Sequence, residues 1–271
     1  MNTNAVRFLI GYLHGFSIRR ARELCRILLG KNYKKSIYGV NIVLDLDNIV
    51  DQHLLWGEWE PHVCNFLRQN LKRGDHVIEV GANVGAHSLL IAELIGPEGV
   101  LYAFEPDDYG YNALSTRINT NDIKNIILKK TGVGDGTRDL EAISQLGVRT
   151  RGASMFLRRE SLVALDDLAA ESTYLRPKLL KIDVDGGDLS VLRSASGLLH
   201  NYRPDIIIEF CPVLLEKFCE RPNDVFRILR EFGYRGYDLV KCDELDYISA
   251  MSRVRPGSHI DLLFSLRDKP L

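Results

Sequence analysis

Four acidic residues lie at or near the ends of short apolar segments that are spaced like the strands of one sheet. They are Glu79, Glu105, Asp183 and Glu209. Because ligands of open α/β sheets bind in the crevice beyond the carboxyl ends of the strands, we expect these acids to line one crevice. Carboxylates in such a crevice can bind a cation, accept a hydrogen bond from a substrate hydroxyl or take its proton.

Asp183 is the strongest candidate for a reacting group. It alternates with Lys181 in the otherwise apolar segment Leu179–Val184, and an acid in such a strand is costly unless it is used or paired. We predict that Asp183 and Glu209 are catalytic, and pairing of Asp183 with Lys181 is the structural alternative. His87 is the third catalytic candidate, as a base or a substrate hydrogen-bonding group, although a lone histidine is more often neither. No residue is assigned to a metal, and metal dependence is left open.

A glycine-bearing turn follows the first apolar segment. Residues 76–106 have the pattern of a strand, a turn, a helix and a second strand, and the turn contains Gly81, Asn83 and Gly85. A dinucleotide-binding turn needs three glycines as G-x-G-x-x-G, and Asn83 stands where the middle glycine would be. A carboxylate such as Glu79 suits a positive sulfonium and repels a pyrophosphate, so the turn favours S-adenosylmethionine over a dinucleotide. A tight strand-to-helix turn without a ligand is the alternative.

Strand and helix patterns alternate along the rest of the chain, which predicts an α/β fold with a Rossmann-like, doubly wound and mainly parallel sheet. Residues 137–162 show no clear helical period, and a hairpin is predicted around Gly147–Phe156. The predicted strands lie at 39–47, 76–80, 100–104, 125–131, 179–184, 205–210, 235–240 and 260–266.

Composition limits the classes of function. The 271 residues have a net charge of -1, so no overall positive field attracts nucleic acid. The five cysteines form no C-x-x-C pair, which argues against structural zinc and disulfides and predicts a reducing, cytoplasmic location. We expect no transmembrane helix, because no run of about 18 apolar residues occurs, and no signal peptide.

The N-terminal segment differs from the rest. The first 35 residues carry eight basic residues and one acid, and their apolar positions have helical spacing. We predict a basic, helical N-terminal extension at residues 1–38 and one domain at 39–271. A basic amphipathic segment can contact an anionic membrane surface peripherally, whereas a helical cap packed on the domain is the favoured alternative. The oligomeric state is not predicted.

Several short motifs, in this order and spacing, resemble those of a known family. The chain resembles the class I S-adenosylmethionine-dependent methyltransferases and, within them, the FkbM-type family, from about residue 40 to the end. The matching segments are Gly57–Pro61, Gly74-Asp75, Val77–Gly85, Ala103–Pro106, Val133–Asp135, Leu165–Leu168, Lys181–Gly186 and Ile208-Glu209.

The resemblance implies a seven-stranded sheet with the last strand antiparallel, and methyl transfer usually to oxygen. It implies that Glu105 binds the ribose hydroxyls, that Asp135 lies near the adenine and that Asp183 lies near the methyl group. The methionine moiety would be held by Glu79, Gly81, Asn83 and Gly85.

The resemblance also implies the acceptor, which would be a hydroxyl of a sugar, a glycan or a secondary metabolite. Nucleic acid is not expected as a partner, since the chain lacks an N/D-P-P-F/Y segment and the core domain has no basic stripe. Two alternatives remain, a nicotinamide-dependent oxidoreductase and a non-catalytic cofactor-binding protein of the same fold.

Overall fold

Helices cover both faces of a central sheet in the described part of the chain. The computed structural model of the protein describes residues 26–136, 162–172 and 174–268. The strands are β1 Asn32–Ile37, β2 Val40–Asp45, β3 His76–Val80, β4 Val100–Phe104, β5 Ile126–Lys129, β6 Pro177–Ile182, β7 Asp205–Phe210, β8 Arg235–Asp238, β9 Asp243–Leu245 and β10 Ile260–Ser265. The helices are α1 Ile49–Trp56, α2 Pro61–Asn70, α3 Ala86–Ile95, α4 Asp108–Thr120, α5 Leu165–Glu171, α6 Asp188–Arg193, α7 Ser196–Tyr202, α8 Pro212–Lys217, α9 Asn223–Glu231 and α10 Tyr247–Arg253.

The main sheet has the strand order β5-β4-β3-β6-β7-β10-β8-β9. Strands β5, β4, β3, β6 and β7 are parallel, and β10 is antiparallel to both of its neighbours. The predicted Rossmann-like, doubly wound sheet with an antiparallel last strand is therefore confirmed. The described residues add an eighth, three-residue strand, β9, to the expected seven. It forms because the chain reverses after β8, where the amide of Cys242 donates to the Asp238 carbonyl at 2.8 Å.

The central strands are apolar on both faces because helices cover both sides. Alternate residues of each strand enter different layers of the core. Val77 packs in one layer, whereas its neighbour Ile78 packs in the other, and the same division holds for Leu179 and Leu180. This arrangement leaves the strand ends as the place where polar groups can gather.

The N-terminal part of the described chain forms a hairpin beside the sheet. Residues 26–29 are helical, and β1 then pairs with β2 through a turn at Tyr38 and Gly39. The predicted boundary between residues 38 and 39 lies in this turn, so the division into extension and domain stays a prediction. The predicted hairpin around 147–156 lies outside the described residues.

Helices in the described ranges are all too short or too polar to cross a membrane. Most of the basic segment 1–35 lies outside those ranges, so peripheral membrane contact through it also stays a prediction.

Arg117 connects the glycine turn to α1 and to the N-terminal hairpin, where it donates to the Val43 carbonyl at 3.3 Å. Its guanidinium donates to the Val84 carbonyl in the turn at 2.6 Å. It also donates to both carboxylate oxygens of Asp51, at 2.8 and 2.7 Å. Arg117 and Asp51 are 5% and 1% exposed. Because a charge buried this deeply needs its partner, we infer that this pair holds the turn in position.

We predict that Arg117→Met lowers the free energy of unfolding by about 3–5 kcal/mol, because the Asp51 carboxylate is left buried without its counter-ion. Urea denaturation followed by circular dichroism measures the change. Glu231→Ala is the control, since it breaks an exposed pair with Arg227 and should cost only about 0.3–0.5 kcal/mol. Equal effects of the two substitutions would contradict the assigned role of Arg117.

Candidate active site

The glycine turn lies against the strand end that carries Asp183. Gly81 has a φ of +91°, and a Cβ built there would lie 1.8 Å from the backbone oxygen of Asp183. Gly85 has a φ of +88°, and its Cβ would lie 2.4 Å from the Leu114 side chain. Both positions therefore require glycine, for their backbone conformation and for close packing. The turn and Asp183 consequently form one rigid unit.

Glu105 holds the middle of the same turn. Its Oε2 accepts from the Asn83 amide at 2.6 Å, and its Oε1 accepts from the Asp107 amide at 2.8 Å. Asn83 has a φ of +48°, which asparagine tolerates better than most residues, and its own side-chain oxygen accepts from the Val84 amide. A carboxylate has about four lone-pair positions, so Glu105 keeps acceptor capacity for a ligand hydroxyl.

The four predicted acids meet at one edge of the sheet, in the order of their strands. Glu105 follows β4, Glu79 lies in β3, Asp183 follows β6 and Glu209 lies in β7. The acids differ in solvent exposure: Asp183 is 27% exposed and Glu209 is 16% exposed, whereas Glu79 is 1% exposed. Glu79 accepts a hydrogen bond from the Ser88 hydroxyl at 2.5 Å. It thus lies behind the turn, and its predicted contact with the methionine moiety stays a prediction.

A buried lysine lies between these acids. Lys181 is 2% exposed, is paired in register with Glu79, and donates from Nζ to Asp183 Oδ2 at 2.8 Å. Burial alone lowers the pKa of Lys181, but the charges of Asp183, Glu79 and Glu60 outweigh it and raise the pKa. Pairing with Lys181, the structural alternative for Asp183, is therefore present, and it orients an acid that remains open to the crevice.

Burial also raises the pKa values of the acids in the crevice. It raises the pKa of Glu79 to about 7, against which the charge of Lys181 acts, and that of Glu105 to about 7 as well. The pKa of Glu209 is raised by burial and by the neighbouring carboxylates Asp183 and Asp261. Burial and mutual repulsion therefore disfavour the ionised forms of these acids, and a positively charged ligand would stabilise those forms.

His87 lies at the start of α3 and is 4% exposed. Burial, with the charge of Lys181, lowers its pKa well below the usual value, while a hydrogen bond with the Trp59 backbone acts the other way. Its Nε2 has no hydrogen-bond partner and lies 3.7 Å from Glu60 Oε2. The imidazole is therefore neutral and can accept a hydrogen bond, and the predicted catalytic role of His87 stays a prediction.

Further polar residues in the crevice were not predicted as site residues. Glu60 precedes α2 with a φ of +45°, an unfavourable conformation for a residue with a side chain, and His62 contacts Asp261 at 2.5 Å. His259 lies 3.4 Å from Glu209. Asp261 is an acid in an otherwise apolar strand, which is the same signal that identified Asp183 and could have identified it too.

Asp135 is held by protein groups. Its Oδ1 accepts from the Ser190 hydroxyl at 2.8 Å, and its Oδ2 accepts from Arg193 Nε at 2.6 Å. Arg193 also pairs with Glu220. These contacts fix the carboxylate after β5, and its predicted place near an adenine stays a prediction.

A comparison with protein families identifies the family of this chain. The model of one family, described as the methyltransferase FkbM domain, matches residues 79–235. The chain belongs to the FkbM methyltransferase family. The matched residues contain the glycine turn and the acids at positions 105, 183 and 209, and the predicted family is confirmed. S-adenosylmethionine is the cofactor that belongs to this domain.

Individual proteins similar to this chain are methyltransferases by name. A protein-L-isoaspartate O-methyltransferase from Ignicoccus hospitalis is 34% identical over 104 residues, which are 32% of this chain and 49% of that protein. The chain thus spans about half the length of this curated relative.

Two solved structures are similar at low identity. The methyltransferase FkbM from Methylobacillus flagellatus has a TM-score of 0.45 and 14% identity over 79% of this chain and 52% of that chain. A fibrillarin from Aeropyrum pernix with natively bound S-adenosyl-L-methionine has a TM-score of 0.45 and 14% identity over 86% of this chain and 94% of that chain.

The crevice fits S-adenosylmethionine by its chemistry. The cofactor carries a sulfonium, an ammonium and ribose hydroxyls, and the crevice provides buried carboxylates that suit all three. Both oxygens of Glu105 retain lone pairs, so they could accept from ribose hydroxyls, and this predicted contact stays a prediction.

We predict that Glu105→Gln weakens binding of S-adenosylhomocysteine about 10- to 100-fold, since a hydrogen bond to a charged group contributes about 1.5–3 kcal/mol. Isothermal titration calorimetry measures the affinity. Glu93→Gln, which changes an exposed acid on α3, should leave the affinity unchanged.

The pH dependence provides a second check on Glu105. Its pKa of about 7 means that the accepting carboxylate is lost as the pH falls below 7. The affinity difference between the native protein and Glu105→Gln should therefore shrink towards acidic pH. A constant difference would show that Glu105 does not contact the ligand as a carboxylate.

Proposed function

We propose that this chain is an S-adenosylmethionine-dependent O-methyltransferase that acts on a hydroxyl of a sugar, a glycan or a secondary metabolite. The observation that carries the proposal is the position of Asp183. It lies directly against the glycine turn through the contact with Gly81 and is the most exposed of the four strand-end acids. A methyl donor held by the turn and a hydroxyl bound at Asp183 would therefore be neighbours.

The protein's contribution is orientation and removal of a proton. Bound S-adenosylmethionine supplies a methyl group to the hydroxyl oxygen, the electron pair of the broken bond stays on sulfur, and the hydroxyl proton is released. Lys181 holds Asp183 Oδ2, which leaves Oδ1 to accept that hydroxyl's hydrogen bond and then its proton. Positioning of the two reactants supplies much of the acceleration, and proton removal adds about 10²–10⁴-fold.

The charge of the crevice supports a neutral, hydroxyl-rich acceptor. Glu209 and Asp185 lie on the same side of the crevice as Asp183. These carboxylates repel one another at close range, so a hydrogen-bond donor on the ligand would stabilise them. Sugar hydroxyls donate to carboxylates, whereas the phosphates of a nucleic acid would be repelled. The net charge of -1 adds no attraction for nucleic acid.

Membership of a methyltransferase family removes the support for the oxidoreductase alternative. The remaining alternative is a protein that binds the cofactor without transferring the methyl group, and the test below distinguishes it from an enzyme. Because the curated relative is named a protein-L-isoaspartate O-methyltransferase, a peptide carboxylate is the comparison acceptor in the test.

We expect methyl transfer when the full chain is incubated with isotope-labelled S-adenosylmethionine and methyl glycosides of neutral sugars. Mass spectrometry would detect labelled ether on the sugar together with S-adenosylhomocysteine. An isoaspartyl peptide and a short structured RNA are the comparison acceptors. Transfer only to the RNA or the peptide would overturn the hydroxyl acceptor, and cofactor binding without transfer to any acceptor would favour the non-catalytic alternative.

We predict that Asp183→Asn lowers turnover with the active glycoside about 100-fold or more, because the amide cannot take a proton. Affinity for S-adenosylhomocysteine should stay within about threefold, since the Gly81 contact uses the backbone of residue 183 and not its side chain.

Asp167→Asn, at an exposed position on α5, is the matched control and should retain full turnover. Undiminished turnover by Asp183→Asn would exclude Asp183 as the base.

A further inference from the structure

Three side chains suited to metal binding meet on the acceptor side of the crevice. Glu60, Glu209 and His259 each offer one ligand atom, and these atoms all lie within 4.8 Å of one another. First-row divalent ions hold nitrogen and oxygen at about 2.0–2.2 Å, so ligands around one ion lie about 3–4 Å apart. His259 Nε2 and Glu209 Oε1 are already 3.4 Å apart. Small side-chain rotations would bring the third atom to the same spacing.

The fold brings these residues together from three distant segments. Glu209 is in register with Asp261 in the antiparallel pair β7–β10, so His259 lies just before β10 at the same end of the sheet. Glu60 enters from the start of α2, and its left-handed backbone directs the chain there. Two carboxylates and an imidazole on separate elements form a convergent group and not a run of acids along one surface.

His87 independently indicates a ligand beside Glu60. Its Nε2 is buried, makes no hydrogen bond and lies 3.7 Å from Glu60 Oε2. The other ring nitrogen is left to bond with the Trp59 backbone, so the Nε2 lone pair faces a carboxylate oxygen. Two acceptors facing each other at this distance are unfavourable unless a cation or a donor group lies next to them.

The cations of the crevice are engaged elsewhere. Among the described residues, Lys181 pairs with Asp183, and His62 pairs with Asp261. Glu209 has His259 at 3.4 Å, and Glu60 has the buried His87 at 3.7 Å. The charges of Lys181 and His62 lower the pKa of Glu60, but burial outweighs them. A divalent ion would neutralise both carboxylates.

We propose that Glu60, Glu209 and His259 bind one divalent transition-metal ion next to the acceptor position. An imidazole in the set favours ions such as Mn²⁺ or Zn²⁺ over Mg²⁺ and Ca²⁺, which prefer oxygen ligands alone. Three protein ligands leave coordination positions open, as in catalytic sites. Its role in catalysis, which rests on the proposed function, is to bind the acceptor hydroxyl and make its proton easier to remove.

The test measures metal binding without any acceptor. The full chain is treated with a chelator, dialysed and titrated with Mn²⁺, and free Mn²⁺ is followed by electron paramagnetic resonance. We expect one ion per chain and displacement of Mn²⁺ by Zn²⁺, which binds such ligands more tightly. His259→Ala and Glu209→Gln should each weaken Mn²⁺ binding on the order of tenfold or more.

His200→Ala is the matched control, because His200 is exposed on α7, and it should bind Mn²⁺ like the native protein. Unchanged affinity for S-adenosylhomocysteine shows that each variant is folded. If Glu209→Gln does not fold, Glu60→Gln replaces it in the Mn²⁺ titration. Failure of the native chain to bind Mn²⁺ or Zn²⁺, or equal binding by His259→Ala, overturns the metal site.

Failure of the metal site and failure of the proposed function are distinguishable. Methyl transfer by the chelator-treated chain, unchanged when Mn²⁺ is added, would overturn the metal's part in catalysis and leave the proposed function intact. Metal binding that is lost in His259→Ala, with no transfer to any acceptor, would support the site and count against the proposed function.

Discussion

A lysine ammonium buried in the middle of a sheet must be neutralised by carboxylates, and the crevice of this protein is built around that requirement. Lys181 is 2% exposed and has Asp183, Glu79 and Glu60 as its negative neighbours. These acids come from three separate elements, so the lysine ties β3, β6 and the start of α2 to one point. Removing one member of such a group costs about 3–5 kcal/mol, because the remaining charges stay buried.

The same region joins the proposed cofactor side of the crevice to its proposed reacting side. Gly81 lies so close to the Asp183 backbone that no side chain fits between them. Glu105 holds the middle of the turn by accepting a hydrogen bond from the Asn83 amide, and Arg117 donates to the Val84 carbonyl. Few of these groups can move independently. If the cofactor binds as proposed, a turn held in this way would present it to Asp183 at a nearly constant distance, which suits a reaction that depends on positioning.

Charge determines which molecules this crevice suits. The carboxylates outweigh the cations near them, since Lys181 and His62 are already paired. An excess of negative charge favours a sulfonium and an ammonium in the cofactor, hydroxyls in the acceptor and a divalent ion between Glu60 and Glu209. These three preferences follow from one property of the site. The family assignment agrees with the first of them, because methyltransferases of this kind use a cationic methyl donor.

The sequence by itself determined the alternation of strands and helices, the glycine turn and the acids at four strand ends, because strand period and strand termini are local properties. It identified Asp183 by the cost of an acid in an apolar strand, and the same signal is present at Asp261. Only the tertiary structure decided which acids are paired and which stay open. His62 and Asp261 are 199 residues apart and meet through the antiparallel insertion of β10. Such contacts depend on strand order and on the left-handed backbone of Glu60, and neither can be inferred from neighbouring residues in the sequence.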